Sequence, residues 1–356
     1  MKRPVILFAT AAAVVAITAL DAHKPITSRY TFWEDVYPIV KAHCGGCHVA
    51  GGIAPMSLMT YEDARPWAES IRLELTMGHM PPWYGDPGVA PLRDVHKLSP
   101  RELDVVLTWV TGGTPPGPPA KVPAATARRT WQKGRPDIVV PLPEAVTLPA
   151  GTRDETREFL LREDNDRDRF IAFADVLPGN PSIVHDATVF SRKRGDRDVN
   201  VIAVWLPGVA PVSAPAGVGF AWRAHEQLVV RIHYKKNWKL ENKPASDRSA
   251  VGLYLATSAS PRAIRGIPIP SASAEALADH VQAVAVRVTA ASGETPIRID
   301  AIRPDGTRLT LAGFVARAGW SERYWLARPI DLPRGTRVEM NRAVSDVQIW
   351  LDASSM

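Results

Sequence analysis

Two cysteines and a histidine stand in the order Cys44-Gly45-Gly46-Cys47-His48, and the 356-residue chain has no other cysteine. Haem c forms when two thiols add across the vinyl groups of a porphyrin, and the C-x-x-C spacing presents both sulfurs to one edge of the ring. The histidine that follows the second cysteine then serves as the proximal ligand of the iron. The pattern predicts one covalent haem c, attached through Cys44 and Cys47, with His48 on the iron.

The same cysteines have two other interpretations, a disulfide between them or half of a zinc site. A structural zinc site needs four ligands, and the sequence has no second pair of cysteines to supply the others. A thioredoxin-type redox pair needs a βαβ setting, which the residues around the motif do not predict. The complete C-x-x-C-H motif (44–48) therefore favours haem.

Met80 is our prediction for the sixth ligand of the iron. It lies 32 residues after His48 and directly precedes two prolines, where a loop can turn a thioether toward the iron. Coordination by histidine and methionine raises the reduction potential of a haem. Met77 and His79 are near enough in the sequence to compete, and each could instead pack at a helix end.

Helical spacing of apolar residues predicts three helices around the motif, over 31–43, 61–79 and 99–111. The third begins at a capping box formed by Ser99 and Glu102. A proline-rich segment, residues 115–127, then marks a linker between domains.

Beyond the linker the sequence changes to short β-rich runs separated by turn residues, a pattern typical of sandwiches and jelly rolls. The runs cover 138–140, 169–172, 182–190, 199–205, 227–233, 250–256, 281–289, 297–302, 308–314 and 347–351.

The first residues predict export to the periplasm. Lys2 and Arg3 precede an apolar run and small residues, which is the pattern of a signal peptide (1–22) cleaved after Ala22. An uncleaved anchor is the alternative, and only then do we expect contact with a membrane. The net charge of +6 is spread along the chain without a cluster of basic and aromatic residues, so no nucleic-acid partner is expected.

The N-terminal region resembles class I cytochrome c domains in the strings FWEDVYPIVKAHCGGCH, GGIAPMSLMTYEDARPWA, MPPW and LSPRELDVVLTWVTGG. These strings are similar to the cytochrome domain fused to copper type II monooxygenase-like domains in exported bacterial proteins, and the resemblance implies His48 and Met80 as axial ligands. The expected fold class is multidomain. A small all-α cytochrome c domain (28–114) precedes an all-β sandwich or jelly-roll region (128–356), which is long enough for two sandwiches.

The C-terminal region resembles the copper type II, ascorbate-dependent monooxygenases, the peptidylglycine and dopamine hydroxylase group, in PGNPSIVHDATVF, LVVRIHYKKN, DRSAVGLYL and LPRGTRVEM. That family binds one copper through three histidines, two of them adjacent, and a second through His-x-His and a methionine. Here the adjacent pair reads His185-Asp186, and the resemblance implies His185, His233 and Met340 as candidate copper ligands. Asp186 is either a further ligand or a hydrogen-bond partner of His185, and His225 could also converge on the metal. So degenerate a set argues against a functional copper site, and these histidines can instead be ordinary core or surface residues.

The leading expectation is an exported electron-transfer protein whose haem exchanges single electrons while the β region docks a redox partner protein. Two alternatives stay open, a cytochrome-fused copper-dependent monooxygenase and a structural or assembly subunit of a respiratory complex. The sequence identifies no catalytic residue, organic substrate, electron donor or electron acceptor. Metal content distinguishes the first two functions, because the carrier needs iron alone and the monooxygenase needs copper as well.

Overall fold

A computed structural model of the chain describes residues 27–119, 124–270, 276–341 and 346–356. The predicted signal peptide lies outside these residues, and so does the segment 120–123 of the predicted linker. No helix in the described part of the chain is long and apolar enough to cross a membrane.

Short helices surround the C-x-x-C-H motif. They are a π-helical turn (Phe32–Val36), α1 (Tyr37–His43), α2 (Tyr61–Ala64), a 3-10 turn (Arg65–Trp67), α3 (Ala68–Thr76) and α4 (Pro100–Thr111). The predicted capping box at the start of α4 is confirmed, since Ser99 and Glu102 each accept a hydrogen bond from the other's backbone N–H. The second predicted helix stops at residue 76, not 79, because Gly78 adopts a positive φ of 66° just after its end.

Strands predominate in the described residues from 138 onward. They are β1 (Ile138–Pro141), β2 (Val146–Leu148), β3 (Asp154–Arg162), β4 (Arg169–Leu177), β5 (Val184–Lys193), β6 (Asn200–Trp205), β7 (Val218–Trp222), β8 (Glu226–Lys235), β9 (Ala245–Asp247), β10 (Ala250–Leu255), β11 (Arg262–Ile269), β12 (Val281–Ala290), β13 (Glu294–Ile302), β14 (Arg308–Arg317), β15 (Trp320–Leu332), β16 (Arg337–Met340) and β17 (Val347–Ser355).

A long sheet organises these strands into two packed layers. Its order is β1-β10-β4-β7-β11-β17-β12-β15, and β7 and β11 are its parallel pair. One part of this sheet packs on a four-stranded sheet (β3-β8-β5-β6) around a first apolar core. The other part packs on a three-stranded sheet (β14-β13-β16) around a second core, and β2 pairs with β9.

A buried arginine ties the two halves of the β region together. Arg323 of β15 donates hydrogen bonds to the carbonyl oxygens of Val201 (2.7 Å) and Ile202 (2.8 Å) in β6. It also donates to the Asp352 carboxylate in β17, at 2.7 Å. A buried charge is tolerated when it is paired and hydrogen-bonded in this way.

The helices share a third apolar core that includes Phe32 and Trp109. The start of the predicted linker lies against them, because the Pro115 carbonyl accepts hydrogen bonds from the Phe32 N–H and the Trp109 indole, both at 3.0 Å. The far end of the linker also returns to this region, where the N–H of Ala127 donates to the Ala50 carbonyl at 2.9 Å.

The segment 84–93 runs from the helices into the β region. Gly85 forms a β-bridge with Phe314 of β14, and Leu92 forms one with Leu326 of β15. Trp83 and Leu92 are buried in the second core of the β region. Trp83 and Leu92, which the sequence places in the helical region, therefore complete an apolar core of the β region.

The expected fold class is thus wrong, because no small all-α cytochrome c domain is evident in the described residues. The helices are short and separated by long irregular stretches, and part of the expected domain belongs to a β core. The chain is mostly β-sheet, and the β-rich character expected beyond residue 127 is present.

Candidate functional site

One cavity of about 800 Å³, called here the motif cavity, lies between the helices and the β region. Its lining includes Cys44, Cys47 and His48, together with apolar side chains such as Ile71 and Leu75. This volume is in the upper part of the range of ligand pockets, about 300–1,000 Å³. The motif cavity is therefore large enough for a sizeable apolar ligand next to both thiols.

The motif continues α1 as a further turn, so its reactive side chains reach the cavity together. The N–H of Cys44 donates to the carbonyl of Val40, and the N–H of His48 donates to the carbonyl of Cys44, both at 2.8 Å. Both cysteines are free thiols. Burial raises the pKa of Cys44 to about 12, with a contribution from neighbouring Cys47, and raises the pKa of Cys47 to about 11.

His48 lies in the wall of the motif cavity beside the two thiols. Burial lowers its pKa, and the backbone of Met56 beside the ring offsets only part of that fall. Its Nδ1 is buried and makes no hydrogen bond of good geometry within the described residues. The lowered pKa favours the neutral imidazole, which is the form that binds metals.

Met80 lines the motif cavity and is 41% exposed. Neither of its two predicted competitors is in the described lining of the cavity. Met77 is 58% exposed, and the Nδ1 of His79 lies 3.1 Å from the Glu74 carboxylate. Among these three residues, only Met80 is in the described lining of the motif cavity.

Two further histidines, His43 and His96, also line the cavity, and the sequence analysis does not identify them. Their ring centroids lie 5.9 Å apart, and the Nε2 of His43 lies 3.2 Å from the Glu102 carboxylate. Burial lowers the pKa of His96, and the charge of His43 lowers it further. The position of His43 directly before the motif is a signal that could have identified it.

A loop of the β region closes one side of the motif. The thiol of Cys47 donates to the Pro207 carbonyl at 3.5 Å, and Gly46 lies directly against Gly208. A Cβ on either glycine would lie under 3.0 Å from the Cα of the other, closer than real Cβ contacts come. This approach of two backbones therefore requires glycine at both positions.

A cluster of His185, Asp186 and His233 lies at the β-region end of the cavity, where both histidines are lining residues. Register places Asp186 of β5 opposite His233 of β8, and a bulge at His185 lets neighbouring side chains meet. The Asp186 carboxylate lies 2.8 Å from the Nδ1 of each histidine. The Nε2 of His233 lies 3.0 Å from the Asp154 carboxylate.

Charge pairing governs this cluster. The hydrogen bond to Asp186 raises the pKa of His233 against the opposing effect of burial. Burial alone would raise the pKa of Asp186, but the hydrogen bonds from His185 and His233 outweigh it and lower that pKa. One ligand atom from each of the three residues lies within 4.8 Å of the others, which is close enough to share a metal ion.

The remaining candidate copper ligands lie elsewhere. Met340 is in β16 and packs against the second core, whereas His185 and His233 extend from the sheet that covers the first. His225 is exposed and lies 3.2 Å from Asp164. The structure therefore brings His185 and His233 together with Asp186 but does not bring Met340 or His225 to them.

No protein-family model matches the chain, and no curated protein is similar to it in sequence. Similar solved structures include one of Sulfolobus turreted icosahedral virus, with 9% identity over 65% of this chain and 98% of that chain and a TM-score of 0.15. A Bacillus subtilis oxalate decarboxylase has 8% identity over 67% of this chain and 85% of that chain, with a TM-score of 0.16. TM-scores this low assign neither a fold nor a function.

Proposed function

We propose that this chain is a haem c protein that transfers electrons, with the haem attached through Cys44 and Cys47 and with His48 on the iron. The supporting observation is that both thiols and the His48 imidazole line one large cavity with mostly apolar walls. An apolar cavity of this size suits the face of a porphyrin. Free thiols at one place in its wall suit attachment along one edge of the ring.

Attachment requires only the groups already named. The S–H bond of each thiol breaks, a C–S bond forms to one carbon of a vinyl group, and the hydrogen goes to the other vinyl carbon. No oxidant or reductant enters this balance. The bound haem would supply one-electron redox chemistry at its iron.

The chain's own residues set the conditions for that chemistry. Burial favours the neutral form of His48, in which a ring nitrogen can bind iron without loss of a proton. Met80 in the cavity wall is the proposed sixth ligand, and a thioether favours the reduced iron. The loop at Pro207 and Gly208 covers the motif and excludes water from one side of it.

A second candidate function, a copper-dependent monooxygenase, is favoured by one observation. His185 and His233 line the motif cavity, and with Asp186 they form a cluster with metal-ligating geometry. Redox-active copper is usually held by several imidazoles with a soft donor, whereas this cluster offers two imidazoles and a carboxylate. Electron transfer by haem alone therefore remains the preferred proposal.

The test uses the full chain produced in a host that attaches haem, compared with a Cys44→Ala, Cys47→Ala double variant. Intact-mass measurement and the pyridine haemochrome spectrum should show one covalent haem in the wild type and none in the variant. Iron should be stoichiometric and copper absent by elemental analysis. A wild-type chain without an added tetrapyrrole would refute the proposal, and stoichiometric copper would favour the second candidate.

A further inference from the structure

The lysine side chains that line the motif cavity come from the β region. Lys235 ends β8, and Lys236 follows it. The helical segment contributes no lysine or arginine to the described lining. Carboxylates come from both sides, Glu74 from the helical segment and Asp154 from the β region. Within the described residues, the lysine and arginine charges of the cavity wall therefore all come from the β region.

The two lysines differ in the partners of their ammonium groups. Lys236 is buried, and its Nζ donates to the carbonyl oxygens of Leu148 (3.2 Å), Pro149 (2.6 Å) and Lys243 (2.7 Å). The ammonium of Lys235 is exposed, and it has no hydrogen bond or ion pair with any residue that the structure describes. Of these two lysines of the described lining, Lys235 is therefore the one whose ammonium can still bind a ligand.

The surroundings of Lys235 leave it available. Asp154 of β3 lies opposite Lys235 in the sheet, but its carboxylate is hydrogen-bonded to the Nε2 of His233 at 3.0 Å. The next residue but one, Asn237, donates from its side chain to the Ile53 carbonyl at 3.3 Å. This bond ties the lysine segment to the loop that follows His48.

A haem carries two vinyl groups on one side of its ring and two propionates on the opposite side. Once Cys44 and Cys47 hold the vinyl edge, the propionates point away from that edge toward other parts of the cavity wall. An ionised carboxylate in an apolar cavity is costly unless a cation or strong donors compensate it.

Building on the proposed function, we infer that Lys235 binds a haem propionate, so that the β region supplies the polar end of the haem site. The helical segment then holds the thioether edge and the iron. Each region thus provides a part of the pocket that the other lacks.

The experiment compares haem-loaded wild-type, Lys235→Ala, Lys235→Arg and Lys239→Ala chains by redox titration at pH 7. Loss of the Lys235 charge leaves a propionate uncompensated and favours ferric iron. The ratio of oxidised to reduced haem at a fixed solution potential should rise about fivefold, as for a partly exposed ion pair. Lys235→Arg should restore the wild-type ratio. Lys239→Ala is the matched control, because that ammonium lies 5.2 Å from the Trp238 ring and outside the described cavity lining.

Resonance Raman spectra of the same samples give a second readout, because the propionate bending band should shift in Lys235→Ala alone. Identical titrations and bands for haem-loaded Lys235→Ala and Lys239→Ala would overturn this inference and leave the proposed function intact. Absence of covalent haem from the wild type would overturn both.

Discussion

The contact between the motif and the β region is tested most directly at Gly208. An alanine Cβ there would lie under 3.0 Å from the Cα of Gly46, and Gly208 has a φ of +75°. Gly208→Ala therefore introduces both backbone strain and a clash against main-chain atoms, which cannot rotate away as a flexible side chain can.

The two effects can be given magnitudes. An alanine in the left-handed region costs roughly 1 kcal/mol. Overpacking against backbone adds about 1–3 kcal/mol, so Gly208→Ala should lower the free energy of unfolding by about 3 kcal/mol in total. Gly195→Ala is the control, because Gly195 has a similar φ of +79° and nothing within 4 Å of its Cβ position. That variant should lose only the roughly 1 kcal/mol due to strain.

Urea denaturation of both variants and the wild type measures these free energies. Alkylation of the chain made without haem gives an independent measurement, because movement of the loop at Pro207 exposes the Cys47 thiol. Gly208→Ala should react faster than Gly195→Ala and the wild type. Equal unfolding free energies for the two alanine variants, with equal alkylation rates, would refute the contact.

Two other predictions concern the iron and the histidine cluster. Met80→Ala should remove the methionine-to-iron charge-transfer band of the oxidised protein, and a band that persists would exclude Met80 as the ligand. Asp186→Asn should lower the free energy of unfolding by about 2 kcal/mol in chelator-treated protein at pH 5–6. The loss should shrink at pH 9, because the raised pKa of His233 gives stability that is present below its unfolded value of about 6.5 and lost as pH rises through the folded value. It should also shrink in acid, because the lowered pKa of Asp186 gives stability that is present above about 3.8 and lost as pH falls through the folded value. Asp164→Asn, in the exposed pair with His225, should have little effect at any of these pH values, and a matching loss would contradict the reasoning.

The sequence predicts the elements whose signals are local. Ser99 and Glu102 cap α4 within a single turn, so neighbouring residues contain the whole signal. The run 281–289 predicts β12, which is buried along most of its length and is largely apolar. The sequence does not predict β3. Its residues, DETREFLLR, are largely exposed on the outer face, and so polar a run is typical of a loop.

The error in fold class has a tertiary cause. Helical periodicity around the motif correctly indicates helices, but periodicity does not reveal which core a connecting segment joins. Trp83 and Leu92 appear in the sequence as part of a helical domain, yet their burial depends on strands more than 200 residues further along, such as β14.

The residues of the candidate site also differ in whether the sequence alone can identify them. Cys44, Cys47 and His48 are adjacent in the sequence, so their chemistry can be predicted without a structure. The lining positions of His96 and Lys235 result from packing between distant segments, and no local pattern identifies them. The approach of Asp186 to His233 likewise depends on the register of β5 against β8.

The bridges made by segment 84–93 bear on how this chain can be dissected or recombined. A fragment ending at the predicted linker would carry Trp83 and Leu92 without the strands that cover them, and such a fragment would be prone to aggregate. Conversely, the β region produced alone would lack two side chains of its second core and would be left with a void there. Transfer of the whole segment 27–93 to another scaffold would therefore leave Trp83 and Leu92 uncovered unless β14 and β15 were transferred as well.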